Sequence, residues 1–291
     1  MGRIKTEEQT ESYLRPGQFY GHILKKHNCC GLTLSELKHE SARKLPEHSH
    51  ELAFFCLVLD GDYREQYGAK KVEYQPFTVL FHPPGLTHHD EIGHSGARFF
   101  NVELQSQWIA RLGEYSTVPA TSVDLHGGEM VWLATRLYRE YREMNACAPL
   151  AIEGLALEML ATVARTKEPS EKRAPSWLAR AVDLLHADFH QNLTVNQVAA
   201  EIGVHPFHLS KVFRQFHHQS IGEYTHKLRV HFACQQLLQP EIELADVALQ
   251  AGFADQSHFT RIFKQITGLT PGAFRAAMMS DTTQKPVLLT L

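Results

Sequence analysis

The last third of the chain contains an internal repeat. "VAAEIGVHPFHLSKVFRQFHHQSIGEY" occupies residues 198–224 and "VALQAGFADQSHFTRIFKQITGLTPGAF" occupies residues 247–274. Val198-Ala199 aligns with Val247-Ala248, and Gly203 with Gly252. After a one-residue insertion, Phe213 aligns with Phe263 and Tyr224 with Phe274. A stacked solenoid needs at least three repeats to close its core. Two copies fit two small helical units placed side by side.

Each copy reads as helix, glycine turn, helix. Thr194-Val195-Asn196-Gln197 fits a capping box, with a hydroxyl at the N-cap and Gln at N3. Gly203 ends that helix, and Pro206 suits the first position of the next. Leu209, Val212, Phe213 and Phe216 then form one apolar face. In the second copy Gly252 ends the first helix and Asp255 is a good N-cap. Phe259, Ile262, Phe263 and Ile266 form its buried face.

The opposite faces present Phe207, His208, Ser210, Lys211 and Arg214 in one copy, and Gln256, Ser257, His258, Arg261 and Lys264 in the other. Neither face carries an acidic side chain. Arg and Lys bond guanine edges or phosphates, and Gln reads adenine. Between the copies, "SIGEYTHKLRVHFACQQLL" (220–238) places Ile221, Tyr224, Leu228, Ala233 and Leu237 at helical steps. A helix of about seventeen residues spans about 26 Å. Adding half the width of each unit sets the two reading helices about one duplex turn apart, near 34 Å.

The strings "LTVNQVAAEIGVHPFHLSKVFRQF" and, more specifically, "DVALQAGFADQSHFTRIFKQITGLTPGAFR" resemble the double helix-turn-helix of the AraC/XylS family of transcriptional regulators. The resemblance implies binding to double-stranded DNA. It puts Phe207, Ser210, Lys211 and Arg214, then Gln256, Ser257, His258 and Arg261, at reading or phosphate-contacting positions. It implies activation more often than repression, with RNA polymerase as partner for an activator. The pattern departs from the family at His205, where Ser or Asp is usual. It departs again at His218, where the second copy keeps Gly268, and at Glu243, where Thr194 caps the first copy.

Upstream the pattern changes. Residues 19–104 hold short apolar or alternating runs such as "LAFFCLVL" and "ARFFNVEL", broken by turn residues. This suggests a small antiparallel barrel or sandwich. The family resemblance makes it a cupin-like barrel that senses a small-molecule effector. Residues 105–166 then take a helical period in two amphipathic stretches. Met130, Leu133, Leu137, Tyr141 and Met144 mark the first, and Ile152, Leu155, Met159, Leu160 and Val163 the second. They suit an antiparallel pair that either covers an open face of the barrel or forms a homodimer interface. "TKEPSEKRAP" follows, charged and proline-bearing, and reads as a linker.

The expected fold is therefore two domains. Residues 1–166 form a mainly β, cupin-like sensing and dimerisation domain with a helical pair, and 167–175 a linker. Residues 176–279 form an all-α domain with two helix-turn-helix units on a linker helix, and 280–291 a tail. The net charge of −3 gives no global nucleic-acid signal, so that reading rests on local placement. Five cysteines without a C-x-x-C suit a reducing cytoplasm. No apolar stretch reads as a membrane span.

"EHSHE", residues 47–51, sets His48 and His50 two apart, on one face of a strand. His88 follows the Pro83-Pro84-Gly85 turn. In metal cupins a matching set of histidines binds metal with a glutamate, but Phe54 and Phe55 stand where that glutamate is expected, and Glu51 comes too soon. Three readings stay open. His48, His50 and His88 hold a metal, or line an effector pocket with Phe54, or anchor strand ends. No cofactor is required by the first choice, a regulator rather than an enzyme. The rival from another class is a metal-dependent cupin enzyme fused to the DNA-binding domain. A third is a scaffold that keeps the fold without binding DNA.

Overall fold

The computed structural model describes residues 12–125, 128–165, 174–217 and 219–279. Residues 166–173 of the linker string, His218, and the tail from residue 280 lie outside them. The chain divides into two compact units, one mainly β and one helical.

The first unit is organised by two long strands, β6 (Ala53–Tyr67) and β9 (His89–Leu104), which pair antiparallel from Ala53–Leu104 to Gln66–His89. Gly61 at φ +91 sits between two register shifts, and a Cβ there would strike the backbone of Gly96. Around this pair lie β2 (His22–Cys29), β3 (Leu32–His39), β8 (Val79–His82) and β10 (Val123–Leu125), in the order β10-β8-β6-β9-β3-β2. β4 (Arg43–Lys44) adds to β9, and β7 (Lys70–Tyr74) to β6. Among the described residues no pairing joins β2 to β10, so this path of strands is open where a barrel was expected. A separate parallel pair joins β1 (Ser12–Leu14) to β5 (His48–His50).

The unbroken apolar run at the start of β6 reflects burial on both faces, since side chains alternate across the sheet. Phe54, Cys56 and Val58 join Leu37, Tyr63, Leu80, Ile92 and Phe99 in one core cluster. On the other face Phe100 meets the rings of Tyr138 and Tyr141, at 5.1 and 4.9 Å, from α2 (Gly128–Glu143). The Lys25 ammonium donates to the Tyr141 and Arg142 carbonyls at the end of α2, at 2.9 and 3.1 Å. Buried Glu36 accepts from Arg98 at 2.6 Å and pairs with Arg142 at 3.6 Å. Tyr138 and Tyr141 of α2 thus cover this face of the sheet. α3 (Ala148–Arg165) buries all five residues marked from its sequence and packs on α1 (Ser106–Tyr115). The periodicity analysis did not separate α1, which is short and buries only Trp108 and Leu112.

The second unit runs through α4 (Ser176–Asp188), α5 (Val195–Ile202), α6 (Pro206–His217), α7 (Ile221–Gln236), α8 (Leu244–Gln250), α9 (Gln256–Thr267) and α10 (Pro271–Met279). The Thr194–Gln197 capping box forms in both directions, and Gly203 closes α5 in the left-handed region at φ +77. Pro206 opens α6 as anticipated. α7 starts with a second capping box, Ser220 with Glu223, that the sequence reading passed over. Its 16 residues correspond to about 24 Å. Leu209, Val212 and Phe213 pack with Leu178, Leu185, Val198 and Ile202 in the first copy. A run of rings, Phe253–Phe259–Phe263–Phe274, fills the second at centroid steps of 5.2, 5.4 and 5.3 Å.

Two contacts fix the copies together. Arg229 of α7 is buried, and its guanidinium donates to the Phe189 and Gln191 carbonyls at 2.7 and 2.8 Å and to Asn192 at 3.2 Å. The same group lies 5.8 Å from the Phe253 ring centroid. Gly252, at φ +81, lies so close to His190 that a Cβ would strike its backbone. The turn of the second copy therefore rests on the loop that precedes the first. Among the described residues no helix is long and apolar enough to cross a membrane.

Two measurements check this arrangement. Gly203 and Gly252 share a left-handed backbone, but nothing lies within 4 Å of a Cβ at Gly203. Gly203→Ala should cost about 1–2 kcal/mol of stability in the helical unit. Gly252→Ala should cost about 1–3 kcal/mol more, because backbone must move. Equal losses in urea unfolding of the full chain would mean the His190 contact contributes nothing. Arg229→Met should cost about 2–3 kcal/mol by the same assay, the range for hydrogen bonds from a charged donor. Unchanged hydrogen exchange at the amides of α8 and α9 would contradict its anchoring role.

Candidate functional site

The candidate nucleic-acid interface is built on α6 and α9, the second helix of each copy. Both start from side-chain caps. Asp255 accepts the His258 backbone N–H at 2.7 Å, and α9 ends at Gly268, whose N–H returns to the Lys264 carbonyl. In α6 the cap position holds His205, and its ring Nδ1 accepts the Phe207 N–H at 3.2 Å. An imidazole with an unprotonated Nδ1 thus takes the part of the usual Ser or Asp. The departure at Glu243 persists, because its side chain makes no cap bond to α8. The helix-end departure at His218 lies outside the described residues.

Phe207 is 72% exposed, an apolar ring held in water at the start of α6. Such a group suits contact with a thymine methyl. Lys211 and Arg214 are exposed on the same helix, and Ser210 is half-buried. On α9, Gln256, Ser257, Arg261 and Lys264 are exposed. His258 is half-buried, with its ring edge-on to Phe253 at 5.5 Å and to His226 at 5.9 Å. Burial, with Arg229, His258 and Arg261 nearby, holds His226 below the ordinary histidine range. The structure thus brings the eight sequence-named residues onto two capped helices, with His258 more withdrawn than the rest.

The histidine motif forms a second, buried site in the β unit. β5 is clipped to the turn after β8 by paired backbone bonds between His48 and His88, both 2.9 Å. Gly85 adds an N–H to the His50 carbonyl at 2.8 Å. His48, His50 and His88 are all buried and offer ligand atoms within 4.8 Å of one another. Burial, then the neighbouring His88, His48 and His82, pushes His50 down to about 2, so its ring is neutral. Burial also lowers His48.

A buried acid lies further along β6. Glu65, fully buried, meets His82 Nε2 at 2.7 Å, and with His82 and His88 it makes a second cluster. Burial opposes charge on both partners, but their mutual attraction and hydrogen bond hold Glu65 below and His82 above their ordinary ranges. Glu51 is exposed. Phe54 stacks on His82 at 4.4 Å, and Phe55 points to the opposite face. The sequence does not single out Glu65, and offers His82 only as one of several histidines, with His89 and His94, near the motif. The His82 signal was the cross-strand pairing of Phe54 with His82, which only the register reveals.

His48, His50, Phe54 and His88 do line one cavity, along with Tyr20 and Asp90, of ≈ 40 Å³. A water needs roughly 10–15 Å³ on this measure, and small-molecule pockets are about 300–1,000 Å³. The space therefore suits an ion or a few waters and not a drug-sized molecule. Cys29 and Cys30, adjacent in sequence, are free thiols, and burial with Cys30 alongside pushes Cys29 up to about 11.

Comparison with known proteins bears on the helical unit first. The family described as "Helix-turn-helix domain" matches residues 198–277. The chain is 34% identical over 94 residues to the probable transcription factor PqrA of Proteus vulgaris, across 32% of this chain and 77% of that one. It is 29% identical over 120 residues to the bifunctional transcriptional activator/DNA repair enzyme AdaA of Bacillus subtilis, across 41% of this chain and 57% of that one. Similarity to the transcriptional activator NphR of a Rhodococcus species is longer, 26% over 253 residues, across 81% and 73% of the two chains. With its two capped helix-turn-helix units, this chain is a DNA-binding transcriptional regulator and belongs to the AraC/XylS family.

Proposed function

We propose that α6 and α9 enter successive major grooves, with Phe207, Ser210, Lys211 and Arg214 reading through one and Gln256, Ser257, His258 and Arg261 through the other. One observation carries this reading: both exposed helix faces are cationic and free of acid, and both belong to one unit locked through Arg229 and Gly252. Lys211 and Arg261 differ in what they sense. A phosphate contact weakens all sequences alike, whereas a base contact carries discrimination.

The β unit in this reading is the sensor, residues 1–166 are its domain, and 167–175 link it to the reader. A ligand in the cavity lined by His48, His50, Phe54 and His88 shifts the population of DNA-competent arrangements. The regulator works as an activator, a role carried in the names of AdaA and NphR, with RNA polymerase as partner. It acts in the cytoplasm, where its DNA is, and as a homodimer. Tyr115 on α1 and Leu150 on α3 are exposed apolar residues that a second copy would cover. It is not an enzyme: the relatives described above are named as regulators, and AdaA alone of them also as an enzyme.

The test is binding to genomic fragments selected by the purified chain. Arg261→Ala should lose about 1–3 kcal/mol on its best site and relax discrimination at one position. Lys211→Ala should weaken every fragment similarly and reduce the salt slope by about 1. A chain whose Arg261→Ala variant binds all fragments as the parent does has no base contact there.

A further inference from the structure

The buried histidines carry more than a sensing pocket requires. His48 Nδ1 lies 2.9 Å from the Pro46 carbonyl, and His88 Nδ1 lies 3.1 Å from the Leu86 carbonyl. A carbonyl oxygen only accepts, so each Nδ1 bears the proton. In the neutral ring, Nε2 then carries the lone pair. His48 Nε2 is 3.9 Å from Asp90, and His88 Nε2 is 4.0 Å from Glu65 and 3.9 Å from Asp90, all beyond hydrogen-bond distance. His50 Nδ1 and Glu65 Oε2 are buried without a partner. Two lone pairs and a carboxylate oxygen are thus held in place and left unused.

Fixing the tautomer through a backbone carbonyl on the far nitrogen is what metal-ligating histidines need. We propose that the β unit binds one divalent transition-metal ion through His48, His50 and His88, with Asp90, which lines the same cavity, and Glu65 beside His88 supplying negative charge near the ion. His82, bonded to Glu65 at 2.7 Å, is a positioning residue that orients the carboxylate. The cavity of ≈ 40 Å³ beside these rings has room for the ion and a bound water. Metal–nitrogen distances of about 2.0–2.1 Å bring adjacent ligand atoms to ~3.3 Å, so the rings close in slightly from the 4.8 Å limit seen here. Imidazole ligands select zinc, iron, nickel or cobalt over magnesium and calcium. This site stands independently of DNA binding.

The experiment uses the full chain, stripped with chelator, in titration calorimetry with zinc chloride and absorption titration with cobalt(II). One ion per chain should bind, with visible cobalt bands, and excess magnesium or calcium should not compete. His50→Ala and His88→Ala should each abolish the bands. Glu65→Gln and His82→Gln should keep bands but weaken affinity by about 10–100-fold. Circular dichroism melts identify folded variants, and His50→Gln replaces any that fail to fold. The chain has 19 histidines, so binding that survives His50→Gln unchanged is surface binding and overturns the proposal. Absence of binding by zinc, cobalt, nickel and anaerobic iron(II) overturns it equally.

Discussion

Arg229 sits within the helical unit with its charge met by backbone oxygens of Phe189 and Gln191, by Asn192, and by the face of Phe253. An unpaired guanidinium there would cost several kcal/mol, so these partners are held in one arrangement. The loop before the first copy, the connecting helix and the turn of the second copy all converge on this one cation. Gly252 lets the turn approach His190 closely enough to close the set. In the proposed reading of two grooves, the separation and relative angle of the two helices matter more than any single side chain. Those quantities are set here by a rigid 16-residue helix and by the group buried in it.

The helical unit was largely legible because its signals are local. Thr194, Gly203, Pro206 and Asp255 each act within a few residues of their own position, so their chemistry can be read from spacing. Arg229 was not legible, since a basic residue mid-helix looks like an ordinary solvated one until its neighbours are known. His205 was read as a departure because histidine is not among the usual N-cap residues, yet its ring nitrogen accepts the same bond. In the β unit the runs were recognised but not their lengths. β6 and β9 continue through Gly61 and Gly93, which a turn-based reading takes as ends. Glu65 lies beyond that bend, so its meeting with His82 follows from non-local register alone.

The two faces of the sheet serve different ends. One packs on α2, where Phe100 meets Tyr138 and Tyr141, and Glu36 forms ion pairs with Arg98 and Arg142. The other mixes aromatic rings with a polar cluster whose atoms are only partly paired. Each buried, unpaired polar atom costs about 1–3 kcal/mol. A fold keeps such a cluster at a cost to stability, which is a reason to look there for chemistry and not only for packing.

The two turn glycines leave the copies unequally free to change. Around Gly203 the space is open, whereas Gly252 is wedged against backbone. A side chain at the first turn therefore meets only the backbone strain of a positive φ, and one at the second meets a steric clash as well. The second behaves as a fixed datum. A redesigned turn has its latitude in the first copy, with the turn of the second kept as it is.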